Sequence, residues 1–453
     1  MVTFTARRRD PELVTPARPT PAGELKHLSD IDNQGSLRYY ATLVEFFRAG
    51  PGGGGNDDDA LRERDDPVAA IRSAIAEALV CFYPVAGRLR ELPPDGRLVV
   101  ECTAEGVAFV AADADVSLAE LGEPLRPPYP CVEELLCDLG DTRVTRFSCG
   151  GFAVGVHWCH VMSDGFGICK FLQAVGDLAR GMAQPTVLPV WEREILTSRA
   201  PPRVARPHLA YEPLGDATDG DDPMLAAPPG DMVGRYFFFG RAEVSAIRSS
   251  VVAPADELAR SATVFELLAA AAWRCRTAAL GYAPGRRVRV MFPSNARRGG
   301  WKRDPPIPRG YYGNAFVFQV AEATAGELCC GGSGGLRRAL ELVRGAKREV
   351  SDDHLGSTAH LLARRRWPPV VVDCTYVVSD ITTIGEDGVD FGWGRRVGGG
   401  IPMAGDIMGT LLSYFMRCKD AAGEDCTVVP MYLPRAAMDR FAAQISAICS
   451  DPQ

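Results

Sequence analysis

One short stretch constrains this chain more than any other. From Gly150 to Trp158 the residues are apolar enough for a buried strand, and the run then breaks on His160, with Asp164, Gly165 and Gly167 close behind. Ile168, Phe171, Leu172, Val175 and Leu178 follow at helical spacing. A strand that turns directly into a helix belongs to folds that alternate the two elements. The turn itself carries the residues most capable of chemistry.

The same alternation runs through the rest of the chain. Tyr39–Phe47 is rich in β-formers and reads as a first strand. Asp66 and Pro67 start a helix with a carboxylate at the N-cap and proline at the first helical position, and Val68, Ile71, Ile75 and Leu79 then share one face. Gly87–Arg90 and Leu98–Glu101 pair around a turn at Pro93–Gly96. Farther on come strands near Tyr236–Phe239, Val288–Phe292, one opening at Tyr311–Asn314, then Val370–Val378, Leu411–Cys418 and Cys426–Leu433. Helices fall between them, over Leu336–Val350 and from a capping box at Thr263 and Glu266. The expected fold class is α/β with mixed sheets. At 453 residues the chain exceeds a single core, so two domains are expected, over 1–185 and 231–453. The Pro-, Asp- and Gly-rich span 186–230 reads as a crossover linker. The arm holding Pro11, Pro16, Pro19 and Pro21 reads as extended, and the glycine and aspartate run at 50–59 as a low-complexity surface loop.

Charge narrows the partners. A net charge of −7 without a long Lys/Arg run lacks the electrostatic footprint of a nucleic-acid or anionic-membrane binder. A small molecule is the expected partner. No stretch approaches the roughly 18 apolar residues of a membrane span, and Arg7-Arg8-Arg9 has no apolar region behind it, so the expected compartment is the cytosol. The 14 cysteines contain no C-x-x-C and are expected to be reduced, most of them small buried hydrophobes.

His160 has two readings that the residues alone leave level: a general base, or a core histidine at a strand end. A metal site from His157, His160 and Asp164 is the weaker idea, because side chains three apart at a strand end diverge and no further ligand pair is evident, so no metal is expected. Cys159 as a nucleophile is weaker still, since its side chain should point away from that of His160. No G-x-S-x-G elbow of a serine hydrolase is present.

His160-Val161-Met162-Ser163-Asp164-Gly165 matches H-x-x-x-D-G, and Asp390-Phe391-Gly392-Trp393-Gly394 reads D-F-G-W-G. With Leu28-Ser29-Asp30, Phe82–Leu89 and Tyr312-Gly313-Asn314 in order along the whole chain, the sequence resembles the plant BAHD acyltransferases. That resemblance implies two domains like chloramphenicol acetyltransferase with a solvent channel between them. Acyl-CoA as co-substrate enters on one side and the acceptor on the other, with no permanently bound cofactor. His160 would stand mid-channel as the general base that takes the acceptor's proton, help worth roughly 10² to 10⁴ in rate, and transfer would be direct.

Asp164 would turn away from the site toward an arginine, with Arg297 of Asn295-Ala296-Arg297 as the expected partner, and Gly165 would help hold the turn. Asp390, Phe391, Gly392, Trp393 and Gly394 would be mainly structural, near the CoA path. Some relatives supply an oxyanion donor from a Thr-x-Trp segment. Here Ser379-Asp380-Ile381-Thr382-Thr383 has no tryptophan, which leaves Ser379, Thr382 or a backbone N–H. The arm and the Phe82–Leu89 segment look most like the benzyl alcohol benzoyltransferase and taxoid acyltransferase branch. The expected donor is therefore aromatic, benzoyl-CoA or a hydroxycinnamoyl-CoA, and the acceptor a benzyl-type alcohol or an arylalkylamine such as tryptamine or tyramine. A monomer is expected. The alternative is a non-catalytic family member acting as a partner in a larger complex.

Overall fold

The computed structural model describes residues 2–50, 66–136, 140–198, 207–215, 222–251, 257–297, 304–331, 334–402 and 411–450. The run at 51–59 and parts of the crossover span, 199–206 and 216–221, lie outside them. Local chemistry sets the longer helices where the sequence predicts them. Asp66 accepts from the Val68 N–H at 3.0 Å and Pro67 follows it, opening α1 (Pro67–Cys81). Asp164 caps α2 (Gly165–Ala179) through the Gly167 N–H. Thr263 and Glu266 cap each other reciprocally at the start of α3 (Val264–Leu280), which ends on left-handed Gly281. α4 (Gly334–Arg348) covers the stretch expected at Leu336–Val350, and one more long helix, α5 (Arg435–Cys449), was not anticipated from the sequence.

Among the described residues the first half holds nine strands: β1 (Ala6–Arg8), β2 (Glu12–Val14), β3 (Leu25–His27), β4 (Tyr40–Ala49), β5 (Arg88–Leu92), β6 (Arg97–Glu101), β7 (Val107–Ala114), β8 (Asp141–Phe147) and β9 (Phe152–Cys159). The second half holds β10 (Met232–Phe239), β11 (Arg287–Asn295), β12 (Phe316–Thr324), β13 (Thr375–Asp380), β14 (Gly394–Gly400), β15 (Leu412–Lys419) and β16 (Asp425–Pro434). They form three sheets: a seven-stranded one with the path β1-β7-β8-β9-β4-β14 and β2 also paired with β7, a six-stranded one ordered β10-β16-β15-β13-β11-β12, and a small β3-β6-β5 sheet. Both large sheets mix parallel and antiparallel pairs. The class is α/β.

β14 departs from any simple division by sequence. It lies within 231–453 yet pairs antiparallel with β4 of the first sheet, Gly394 opposite Ala49 and Gly400 opposite Val44. The pairing brings Arg396 Nε to 2.5 Å from buried Glu45 Oε2. A boundary at 185 and 231 therefore describes the helices and the second sheet, and remains a proposal for the chain as a whole.

Two strand edges fall later than the residues suggested. The run from Val370 begins pairing only at Thr375, because Cys374 takes φ +46, outside the extended region. Tyr311–Asn314 forms a buried turn, and β12 starts at Phe316.

The second sheet has a dry face and a hollow one. Val290, Phe292, Tyr376, Val378 and Phe415 pack against Leu267 and Trp273 of α3, Leu340 and Val343 of α4, and Phe441 of α5 in one continuous core. Residues one step out of phase, Met291, Pro293 and Asn295 on β11, Phe316 and Phe318 on β12, Val377 and Ser379 on β13, Leu412 and Tyr414 on β15, face the other way and wall a cavity. Among the described residues no helix is long and apolar enough to cross a membrane.

Candidate active site

That cavity, about 1160 Å³ counting its open mouth, is closed on its other side by the first sheet and the turn after β9. Ala41 and Leu43 of β4, Trp158 of β9, and then His160, Asp164 and Gly165 are part of that lining. His160 is fixed through its backbone: its N–H donates to the Tyr39 carbonyl at 2.9 Å, and its carbonyl accepts from Asn314 Nδ2 at 2.9 Å. The imidazole sits among aromatic rings, with Tyr39 at 5.3 Å, Trp158 at 6.4 Å and Phe316 edge-on at 6.3 Å between centroids.

Nδ1 is enclosed without a well-formed hydrogen bond, its own carbonyl and the Asn314 amide being polar groups that act on it. With Nδ1 enclosed, Nε2 is the nitrogen left available to a bound molecule. Burial in this apolar setting pushes the imidazole below its usual value of 6.5, against the opposing pull of the Asp164 charge. A neutral ring with a free lone pair at neutral pH is what a general base requires.

Asp164 does not face the imidazole as a triad acid would. Arg297 grips it bidentately, Nη1 to Oδ2 at 2.7 Å and Nη2 to Oδ1 at 3.1 Å, and the Ala315 N–H adds a third donor at 3.1 Å. The same guanidinium donates to the Gly313 carbonyl. The pair is largely buried and joins the start of α2 in one half to the residues just after β11 in the other. Gly167 is needed for a different reason: a Cβ there would collide with the Tyr312 carbonyl, so only glycine lets the two segments meet. Gly165 lies against Ile384 across the cavity wall.

A second fastening escaped the sequence reading. Asp32 is fully buried and accepts from Arg193 Nη1 at 2.9 Å, from the Asn314 N–H at 2.9 Å and from Asn314 Nδ2 at 2.8 Å. Arg193, itself buried, donates to the Met162 carbonyl inside the motif and lies over the rings of Trp191, Tyr311 and Tyr312. A charged residue in a proline-rich crossover reads as solvated. The only local signal was the tryptophan two residues before it.

The D-F-G-W-G segment stands apart from the His160 cavity. Phe391 is buried edge-on against Phe47 at 5.1 Å and near Phe152 at 6.2 Å. The Asp390 side chain accepts from the Gly392 N–H at 2.9 Å, its carbonyl accepts from Arg180 just beyond α2, and Gly392 takes φ +95, where glycine is strain-free. Trp393 packs on the first core, and its carbonyl accepts from Gly50. Gly394 then begins β14, which carries Arg396 into the wall of a second cavity.

That second cavity is lined by Val264 and Phe265 at the start of α3, by Thr382, and by Arg241, Arg396, Arg417 and Lys419. Asp380, at the end of β13, borders both cavities. The two suggested oxyanion donors separate here. Ser379 lines the His160 cavity, whereas the Thr382 hydroxyl donates to Asp380 Oδ1 at 2.6 Å and faces the second cavity. His157 and Cys159 belong to a third hollow on the far side of β9: His157 Nδ1 accepts from the Gly140 N–H at 3.0 Å, and burial pushes the Cys159 thiol up.

Comparison with known proteins agrees with this geometry. A family model described as "Transferase family" matches residues 1–448. Acyl transferase 1 of Oryza sativa subsp. japonica is 49% identical over 99% of this chain and 97% of its own. A benzyl alcohol O-benzoyltransferase of Nicotiana tabacum is 43% identical over 98% and 94%. Spermidine hydroxycinnamoyltransferase 1 of Oryza sativa subsp. japonica is 43% identical over 94% and 95%. Among solved structures, vinorine synthase superposes with a TM-score of 0.68 over 98% of both chains at 19% identity, which speaks for the fold. On these matches the chain belongs to the plant BAHD acyltransferases, and it is an acyl-CoA-dependent acyltransferase acting on alcohols or amines.

Proposed function

We propose that this enzyme transfers an aromatic acyl group, benzoyl or hydroxycinnamoyl, from its CoA thioester to the hydroxyl of a benzyl-type alcohol. The observation that carries this reading is the setting of His160, which lines a largely apolar cavity ringed by Tyr39, Trp158, Phe316 and Phe318. Such a lining suits flat aromatic groups and offers few charges to greet an ammonium. Of its two carboxylates among the described residues, Asp164 is held by Arg297. Asp380 is the one observation favouring the second reading, a primary amine acceptor such as tryptamine, tyramine or a polyamine.

In the proposed reaction Nε2 removes the hydroxyl proton as the oxygen attacks the thioester carbonyl. The tetrahedral intermediate collapses with cleavage of the C–S bond, and the CoA thiolate leaves, taking the proton from the imidazolium. The thioester reaches the carbonyl-attack point from the second cavity, whose Arg241, Arg396, Arg417 and Lys419 suit a phosphate-bearing chain even though three of them also meet carboxylates. In this view Asp390–Gly394 serve the CoA path indirectly, by fixing β14 and with it Arg396. Asp164, Arg297 and Gly165 hold the catalytic turn.

The test is a matrix of acetyl-, benzoyl- and coumaroyl-CoA against benzyl alcohol, tryptamine, tyramine and spermidine, read as kcat/KM. An aromatic thioester with benzyl alcohol should be fastest. Preference for acetyl-CoA would remove the aromatic donor, and faster turnover of an amine would replace the alcohol with the second reading.

A further inference from the structure

A tetrahedral intermediate places a full negative charge on what was the thioester oxygen, and a cavity this apolar has few groups to receive it. Thr382 is committed to Asp380 and faces elsewhere. Asn295, the last residue of β11, has the required properties. It lies directly opposite Phe316 in the antiparallel β11–β12 pair, so the two side chains share a face. The Phe316 ring is the one set edge-on to the His160 imidazole, which puts the Asn295 amide at the reacting end of the cavity.

The amide is also oriented. Its Oδ1 accepts from the Arg297 N–H at 3.0 Å, and turning the group over would press its NH₂ against that N–H. Nδ2 is left enclosed with no partner among the described residues. A buried donor without an acceptor is a group waiting for one, and a ligand oxygen is the acceptor this cavity admits.

We propose that Asn295 Nδ2 is the oxyanion donor, giving its hydrogen bond to the former thioester oxygen while His160 Nε2 holds the acceptor's proton. The assignment rests on the acyl-transfer reading above. It also gives the Asn295–Arg297 segment two tasks, since Arg297 fixes Asp164 and, through its N–H, aims Asn295.

The experiment measures kcat, KM and the pH–rate profile for wild type, Asn295→Leu, Asn295→Ala and His160→Ala with the fastest pair from the matrix. Leucine keeps the volume without a donor, and alanine covers the case in which leucine does not fold. Removing one such donor should lower kcat by about 10² to 10³ with KM for the thioester little changed and the acid limb of the profile unmoved. Retention of wild-type kcat in either folded variant, while His160→Ala is inactive, overturns the assignment and leaves the acyl-transfer reading standing. A loss of rate accompanied by a displaced acid limb also overturns it, because Asn295 would then act by positioning His160. A wild type that turns over no pair removes the reading and the inference together.

Discussion

The two signature segments of this chain, His160–Gly165 and Asp390–Gly394, look alike as short motifs and differ in what they leave unfinished. The second is spent within the protein: Asp390 on Gly392 and Arg180, the Trp393 carbonyl on Gly50, and the apolar Phe391 ring on two phenylalanine rings. In the first, Asp164 accepts from Arg297, Ala315 and Gly167, yet the imidazole beside it lines the cavity with no well-formed hydrogen bond to its Nδ1 among the described residues. A group whose partners are complete contributes to stability. A group pinned by its main chain with its side chain uncommitted is available for chemistry.

The contrast can be broken by mutation. The largest effect is expected from His160→Ala, which should lower kcat by roughly 10² to 10⁴ while leaving the melting temperature near that of wild type. A matching loss of stability would show that the ring is a core residue after all. Phe391→Ala should do the reverse. Deleting a fully enclosed ring costs about 3 to 5 kcal/mol, so thermal unfolding should begin many degrees lower, with kcat per folded molecule little changed below that point. A stable but inactive variant would move the D-F-G-W-G segment into the reaction.

The mildest probe is pH. A base works when neutral, and burial holds the His160 pKa below 6.5, so kcat/KM should rise with pH and reach its plateau with a midpoint on the acid side of 6.5. Asp164→Asn removes a charge that raises this pKa and should carry the midpoint lower still. A wild-type midpoint above 6.5 would mean that the cavity is wetter than its lining implies.

Much of this was legible beforehand, and the gaps have a common cause. Caps such as Asp66 with Pro67, or Thr263 with Glu266, are local events, and the local pattern is enough to find them. Alternation placed β11 and β13, and the resemblance pointed to Arg297 as the partner of Asp164. What sequence could not show was non-local pairing. Nothing in Gly394–Gly400 says that it joins β4 rather than its neighbours in sequence, and nothing around Arg193 says that three rings and Asp32 will enclose it. Asn295 was named, but its free amide hydrogens become visible only once Phe316 stands opposite and Arg297 takes its oxygen.

The placement of β14 bears on how the protein is made. Arg396 and Glu45 are 351 positions apart, so at synthesis rates of roughly 5 to 20 residues per second the ribosome needs about 20 to 70 s to deliver the strand after its neighbour has emerged. Through that interval β4 is an uncovered edge, and Glu45, whose carboxyl burial pushes up to about 7 even with Arg396 beside it, lacks its cation. The nascent first half is thus a template for pairing with the wrong chain until β14 arrives. Truncated transcripts and slow translation are the circumstances in which this enzyme should aggregate rather than fold.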